Sequence, residues 1–173
     1  LDDDAFTAML PRRALESDKR SAGAPLVIAG SRQFPGAAVL CALGAARAGA
    51  GYVTVAAPAP AAQVLRMHLI EQVVVELEDD APASTIVDSI TDVARRSSSI
   101  AIGPGLALEE RTGEIVRGVI ERAEVPVVAD ASALFHLSKH LEKLRGKRVV
   151  LTPHAGEFAR LSGKGTIRAV SYT

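Results

Sequence analysis

From residue 25 to residue 154 the sequence alternates short β-rich apolar runs with longer stretches of helical period, an order that few folds accept. Strands are predicted over 25–30, 52–58, 72–77, 98–105, 125–131 and 147–154, with helices over 36–50, 59–70, 83–96, 108–123 and 132–144. On the first helix Val39, Leu40, Leu43 and Ala46 recur at helical spacing, and on the third Ile86, Ile90 and Val93 do the same. Strict alternation of this kind implies an α/β domain whose mostly parallel sheet carries helices on both faces. Residues 1–24 read as an arm and 25–173 as the domain. The tail from Ser162 starts like a loop and stops, so the sheet is read as truncated at the carboxyl end.

Composition narrows the function. The 173 residues are 48% hydrophobic, enough for a substantial core. Twenty basic residues balance twenty acidic ones, so neither a nucleic acid polymer nor an anionic membrane is expected as partner. No run approaches the roughly 18 apolar residues of a membrane span, and the opening LDDDAFTAMLPRR lacks the basic and apolar regions of a signal peptide. The single cysteine, Cys41, lies in an Ala/Leu stretch and reads as a small buried hydrophobe. One cysteine forms no internal disulfide, which suits the cytoplasm.

In an open parallel sheet, ligands bind outside the carboxyl ends of the strands. Here those ends are GSRQFPGA, AAPAP, IGPGL, ADASA and LTPHAGE. Gly30, Ser31 and Gly36 permit a tight turn, and Gly36 with Ala37 opens a helix whose N–H groups can face a polar or anionic ligand. Gly103 and Gly105 leave the backbone bare for close approach. Asp130 ends an apolar strand, which calls for a hydrogen bond or a helix cap. In TPHAGE, Pro153, Gly156 and Glu157 serve the turn and the new helix, leaving His154 for a ligand or for structure. His68, His136 and His140 sit in helical patterns without partners at metal spacing and read as surface or packing residues. No Walker loop, GxSxG elbow or GxGxxG fingerprint occurs, and SGKGTI at 162–167 reads as a plain turn.

In order, LPRR, LVIAGSRQFPGAAVLCALGAARAGAGYVTVAAP, IAIGPGL, VPVVADASAL and VVLTPHAGEFARL resemble the ribokinase-like NAD(P)H-hydrate dehydratases, also described as YjeF C-terminal or carbohydrate-kinase-related domains. The resemblance spans about residues 10–161 and implies a three-layer α/β/α fold. It further implies a hydro-lyase acting on the S epimer of hydrated NADH or NADPH. ADP or ATP, with Mg2+, would phosphorylate the ring hydroxyl, and phosphate elimination would restore the dihydronicotinamide. By the same resemblance Ala37, Gly105 and His154 match positions that contact the hydrated dinucleotide. Gly30, Ser31, Gly36, Gly103, Asp130 and Glu157 are candidates to support them. A homo-oligomer is expected by analogy.

The departures are specific. Ser132 stands where the family reads a second acid, Ala107 replaces the last glycine of GPGLG, and Asp18-Lys19 replaces a common His-Lys. The family's Lys-Gly phosphate segment and Gly-Ser-Gly-Asp anion hole do not occur, so the catalytic base is not assignable. A truncated chain, an omitted segment and a degenerate binding subunit all fit that absence. A small-molecule kinase on the same scaffold is the alternative enzyme.

Overall fold

The computed structural model describes residues 18–163, together with Asp4, Thr7 and Ala8 of the arm. Six parallel strands form one sheet in the order β3-β2-β1-β4-β5-β6. They are β1 (Pro25–Ile28), β2 (Thr54–Pro58), β3 (Val73–Leu77), β4 (Ser99–Ile102), β5 (Val127–Ala129) and β6 (Val149–Leu151). The helices are α1 (Pro35–Arg47), α2 (Ala59–His68), α3 (Ala83–Ala94), α4 (Glu110–Arg122), α5 (Ser132–Leu137) and α6 (Ala155–Ser162). The residues of the tail beyond Gly163 lie outside the described residues; Gly163 itself caps α6 in a left-handed conformation at φ 64°.

Each strand splits its side chains between two cores, because successive residues point to opposite faces. Leu26, Ile28, Ile100, Ile102 and Val127 meet α3, α4 and α5 through Ile86, Ile90, Val116, Ile120 and Leu134. Val27, Ala29, Val55 and Ala57 face α1 and α2 through Ala38, Ala42, Ala61 and Leu65. The sequence reading placed Leu40 on the core face of α1, and the structure corrects it: Leu40 is 73% exposed while Ala38 and Ala42 are fully buried. Small residues win that face because they let α1 lie close over the sheet, where a leucine side chain would hold it off.

The expected helix over 132–144 is divided. Its α-helical part stops at Leu137, and a 3-10 turn occupies Leu141–Leu144. The Ser138 hydroxyl donates to the Phe135 carbonyl at 2.8 Å, a local bond that competes with continuation of the helix.

The second core is narrower than the first. Along one register row, Val27, Ala101, Val128 and Val150 are paired neighbour to neighbour. Exposure rises along it from 0% at Val27 to 40% at Val128 and 59% at Val150. Among the described residues no helix covers β5 and β6 on that face. No helix of the described residues is long and apolar enough to cross a membrane. Leu134→Ala, in the covered core, is expected to lower unfolding stability by about 2–5 kcal/mol. Val150→Thr should change it by no more than about 0.5 kcal/mol, a contrast that urea denaturation of the two variants measures.

Candidate dinucleotide site at the switch point

The chain leaves β1 toward β2 and leaves β4 toward β5, so the loops after β1 and β4 diverge and open a crevice at the carboxyl edge. Two backbone bonds lock its floor. The Gly30 N–H donates to the Pro104 carbonyl at 2.8 Å, and the Gly103 N–H donates to the Ile28 carbonyl at 3.0 Å. Ser31 is buried, and its hydroxyl accepts the Phe34 N–H at 3.3 Å, closing the turn into α1.

Two of the residues expected in the site meet there. A Cβ on Gly105, whose φ is +71°, would lie 2.6 Å from the Ala37 methyl and 2.8 Å from the Phe34 carbonyl. Gly103, at φ +128°, is tighter, since a Cβ would stand 1.8 Å from the Asp130 carbonyl oxygen. Both positions require glycine, and together they bring the ends of β1, β4 and β5 into direct contact. Gly36 makes no such demand: it lies in the first turn of α1 with open space around it. The Ala37 N–H, expected to face a ligand, returns to the Phe34 carbonyl at 3.3 Å.

Asp130 and Ala131 form the next part of the edge. Asp130 donates its N–H to Ile102 at 3.0 Å and accepts the Ala133 N–H on its carbonyl at 3.1 Å. Between them Ala131 adopts φ 49°, the one non-glycine positive φ among the described residues. A residue held there costs on the order of 1–3 kcal/mol, and such strain persists where the surroundings impose it. Helix α5 takes no side-chain cap, so the capping reading of Asp130 is set aside.

His154 is the N-cap of α6. Its Nδ1 accepts the Gly156 N–H at 3.1 Å, and the Glu157 carboxylate accepts the His154 N–H at 3.0 Å, a reciprocal capping box. The ring is therefore not left over, as the sequence suggested; half of it is structural. With Nδ1 accepting, Nε2 carries the proton and lies 3.4 Å from the other Glu157 oxygen. The side chain is 73% exposed, so that N–H remains open to a ligand. Glu157 stands in the first turn of α6, where the turn chemistry placed a carboxylate.

Sequence reasoning missed Phe34, and it read His136 as a surface or packing residue, which the structure makes a packed one. Phe34 is 60% exposed beside Gly105 and offers an aromatic face at the crevice. His136 is buried, and its Nε2 donates to the Ala107 carbonyl at 2.9 Å, tying α5 to the GPGLA loop. Nothing in a one-dimensional pattern marks that 29-residue separation. Cys41, one turn after Ala37 on α1, has its thiol pKa pushed up by burial and, secondarily, by the Asp130 carboxylate. It is half-buried and packs with the second core, as its Ala/Leu context implied.

Cavity size helps locate the site. On the opposite face of the same edge, Gly30, Ser31, Leu106 and Arg111 line a cavity of about 80 Å³. That holds a few waters and no nucleotide. A larger cleft of about 640 Å³ lies at the amino ends of the strands, where Arg122 pairs with Asp88. The contact between Ala37 and Gly105 lies at the carboxyl edge beside the switch point, where ligands of open parallel sheets bind. Among the described residues no group of three or more His, Cys, Asp or Glu side chains is placed to hold a metal ion.

The profile of the carbohydrate-kinase-related NAD(P)H-hydrate dehydratases matches residues 25–169. The chain belongs to that family. It is 36% identical over 155 residues to the ADP-dependent (S)-NAD(P)H-hydrate dehydratase of Xanthomonas campestris, covering 88% of this chain and 53% of that protein. It is 40% identical over 157 residues to the bifunctional NAD(P)H-hydrate repair enzyme Nnr of Pyrobaculum aerophilum, covering 87% of this chain and 30% of the relative. Among solved structures, the ADP/ATP-dependent NAD(P)H-hydrate dehydratase of Bacillus subtilis, co-crystallised with ATP and Mg2+, superposes with a TM-score of 0.71. That match is 34% identical and covers 92% of this chain and 54% of the other. The chain therefore spans about half the length of the dehydratases it matches.

Ala131→Gly is expected to relieve the left-handed strain and stabilise the fold by about 1 kcal/mol. Gly103→Ala should do the reverse, because a methyl cannot share space with the Asp130 carbonyl. Thermal midpoints of the two variants, moving in opposite directions, check this.

Proposed function

We propose that the whole protein dehydrates the S epimer of hydrated NADH or NADPH, with ADP or ATP as co-substrate, and that this chain supplies the dinucleotide-binding half. The reading is carried by one observation: Gly105 and Ala37, the family positions for the hydrated dinucleotide, touch at the switch point of the sheet. Crystallisation of the Bacillus subtilis relative with ATP and Mg2+ supports nucleotide use.

Each group has a physical part in binding. The absent side chain at Gly105 lets the ligand lie against the backbone, and Ala37 limits the crevice on the α1 side. The positive end of α1 favours the diphosphate. The Nε2 proton of His154 is a donor for a ligand oxygen, the Gly156 N–H on Nδ1 holds the ring in that tautomer, and Glu157 anchors the His154 backbone N–H. Phosphoryl transfer itself needs anion-stabilising donors and a base, and those belong to the part of the family outside this chain. We place the reaction in the cytoplasm.

Calorimetric titration with hydrated NADPH tests the reading. Gly105→Val should abolish binding, since a branched side chain would overlap Phe34 and Ala37. His154→Ala should weaken binding about tenfold through the lost donor and cost roughly 1 kcal/mol of stability through the lost cap. Unchanged affinity in both variants, with both folded, would sink the assignment.

A further inference from the structure

The GPGLA loop is fastened to the segment formed by β5 and α5 at both of its ends. At its first residue, Gly103 packs on Asp130 so closely that a Cβ there would stand 1.8 Å from the carbonyl oxygen. At its last, the Ala107 carbonyl accepts a hydrogen bond from His136 Nε2 at 2.9 Å. Between these two clasps the Gly30 N–H holds the Pro104 carbonyl, and the Leu106 N–H turns back to the Gly103 carbonyl at 3.1 Å. Gly105, the residue that meets Ala37, lies midway.

The second clasp spends a core position on a polar ring. His136 is 6% exposed, on a helix of six residues whose other buried positions, Ala133, Leu134 and Leu137, are apolar and belong to the larger core. A leucine or phenylalanine at 136 would serve packing alone, whereas a buried imidazole has to find a hydrogen-bond partner. Because a carbonyl only accepts, Nε2 carries the proton. Nδ1 borders α4, where a Cβ on Gly113 would come within 2.9 Å of it and 2.7 Å of the Arg117 guanidinium. Arg117 is in turn paired with Glu110 at 2.5 Å, and its side chain is 13% exposed. With α4 on one side and the loop on the other, the ring aims its donor at a backbone atom two residues past Gly105.

We propose that His136 is a positioning residue for dinucleotide binding: through the Ala107 carbonyl it sets where Gly105 stands against Ala37, and so the width of the crevice at the switch point. It acts through the loop and not on the ligand. The inference rests on the dinucleotide binding proposed for that crevice.

Hydrated NADPH is titrated calorimetrically into the 173-residue protein and into His136→Phe, His136→Asn, His136→Gln and Ile90→Val, the last a small cavity in the same core on α3. Phenylalanine keeps a ring without the donor, and the asparagine amide ends near the position of Nδ1, short of Ala107; the glutamine amide nitrogen takes the place of Nε2. The Phe and Asn variants are expected to lose about tenfold in affinity, and the Gln variant to stay within about twofold of wild type. Ile90→Val should lower the thermal midpoint and leave affinity unchanged. Without ligand, hydrogen exchange at the Leu106 amide should follow the same order, about tenfold faster in the Phe and Asn variants. Wild-type affinity in both the Phe and Asn variants would overturn the proposal, as would a loss in the Gln variant as large as theirs. Affinity that fell with the thermal midpoint in Ile90→Val would reduce His136 to a structural residue and overturn it too. Unchanged Leu106 exchange in the Phe and Asn variants would overturn the clasp itself. Should the Phe variant not fold, the contrast between Asn and Gln carries the test. No binding by the wild-type protein would fell the dinucleotide reading and this proposal with it, whereas intact wild-type binding with indifferent variants fells the proposal alone.

Discussion

Everything at the carboxyl edge depends on the pairing of β1 with β4. Four consecutive residue pairs, Pro25 with Ser99 through Ile28 with Ile102, fasten two strands that are distant in sequence into the middle of the sheet. Parallel strands are joined by crossovers, and crossovers are right-handed, so chain running outward to either side must lay its helices on opposite faces. Thus α1 and α2 pack on one face while α3, α4 and α5 pack on the other. The crevice is the consequence of two loops diverging from one paired junction.

Glycine draws that junction tight. Gly103 and Gly105 bring backbone within the distance of a missing Cβ from Asp130, Ala37 and Phe34. The same economy of volume shows under α1, where alanines rather than leucines meet the sheet. The cost appears at Ala131, a residue held where glycine would rest more easily.

The two faces of the sheet differ in completeness. One core runs under all six strands, whereas the other fades from Val27 to Val150. Parallel sheets bury both faces as a rule. The chain spans about half the length of the dehydratases it matches.

Element order, the parallel sheet and the identity of the strand-end loops were legible in the amino-acid sequence, because they follow from periodicity and from glycine and proline placed where strands stop. The family, too, was legible from five motifs in order. Periodicity misjudged Leu40, since a helical stripe of apolar residues does not say how closely the helix sits. It also ran α5 past Ser138, where a hydroxyl's local bond ended the helix. Which strand-end residues touch was decided by tertiary structure alone. The Ala37–Gly105 contact spans 68 residues, from 37 to 105. His154 likewise acquired its capping bond only when the backbone of α6 turned its N–H groups toward the ring. Local pattern carries local geometry, but proximity between distant loops exists only after the strands have paired.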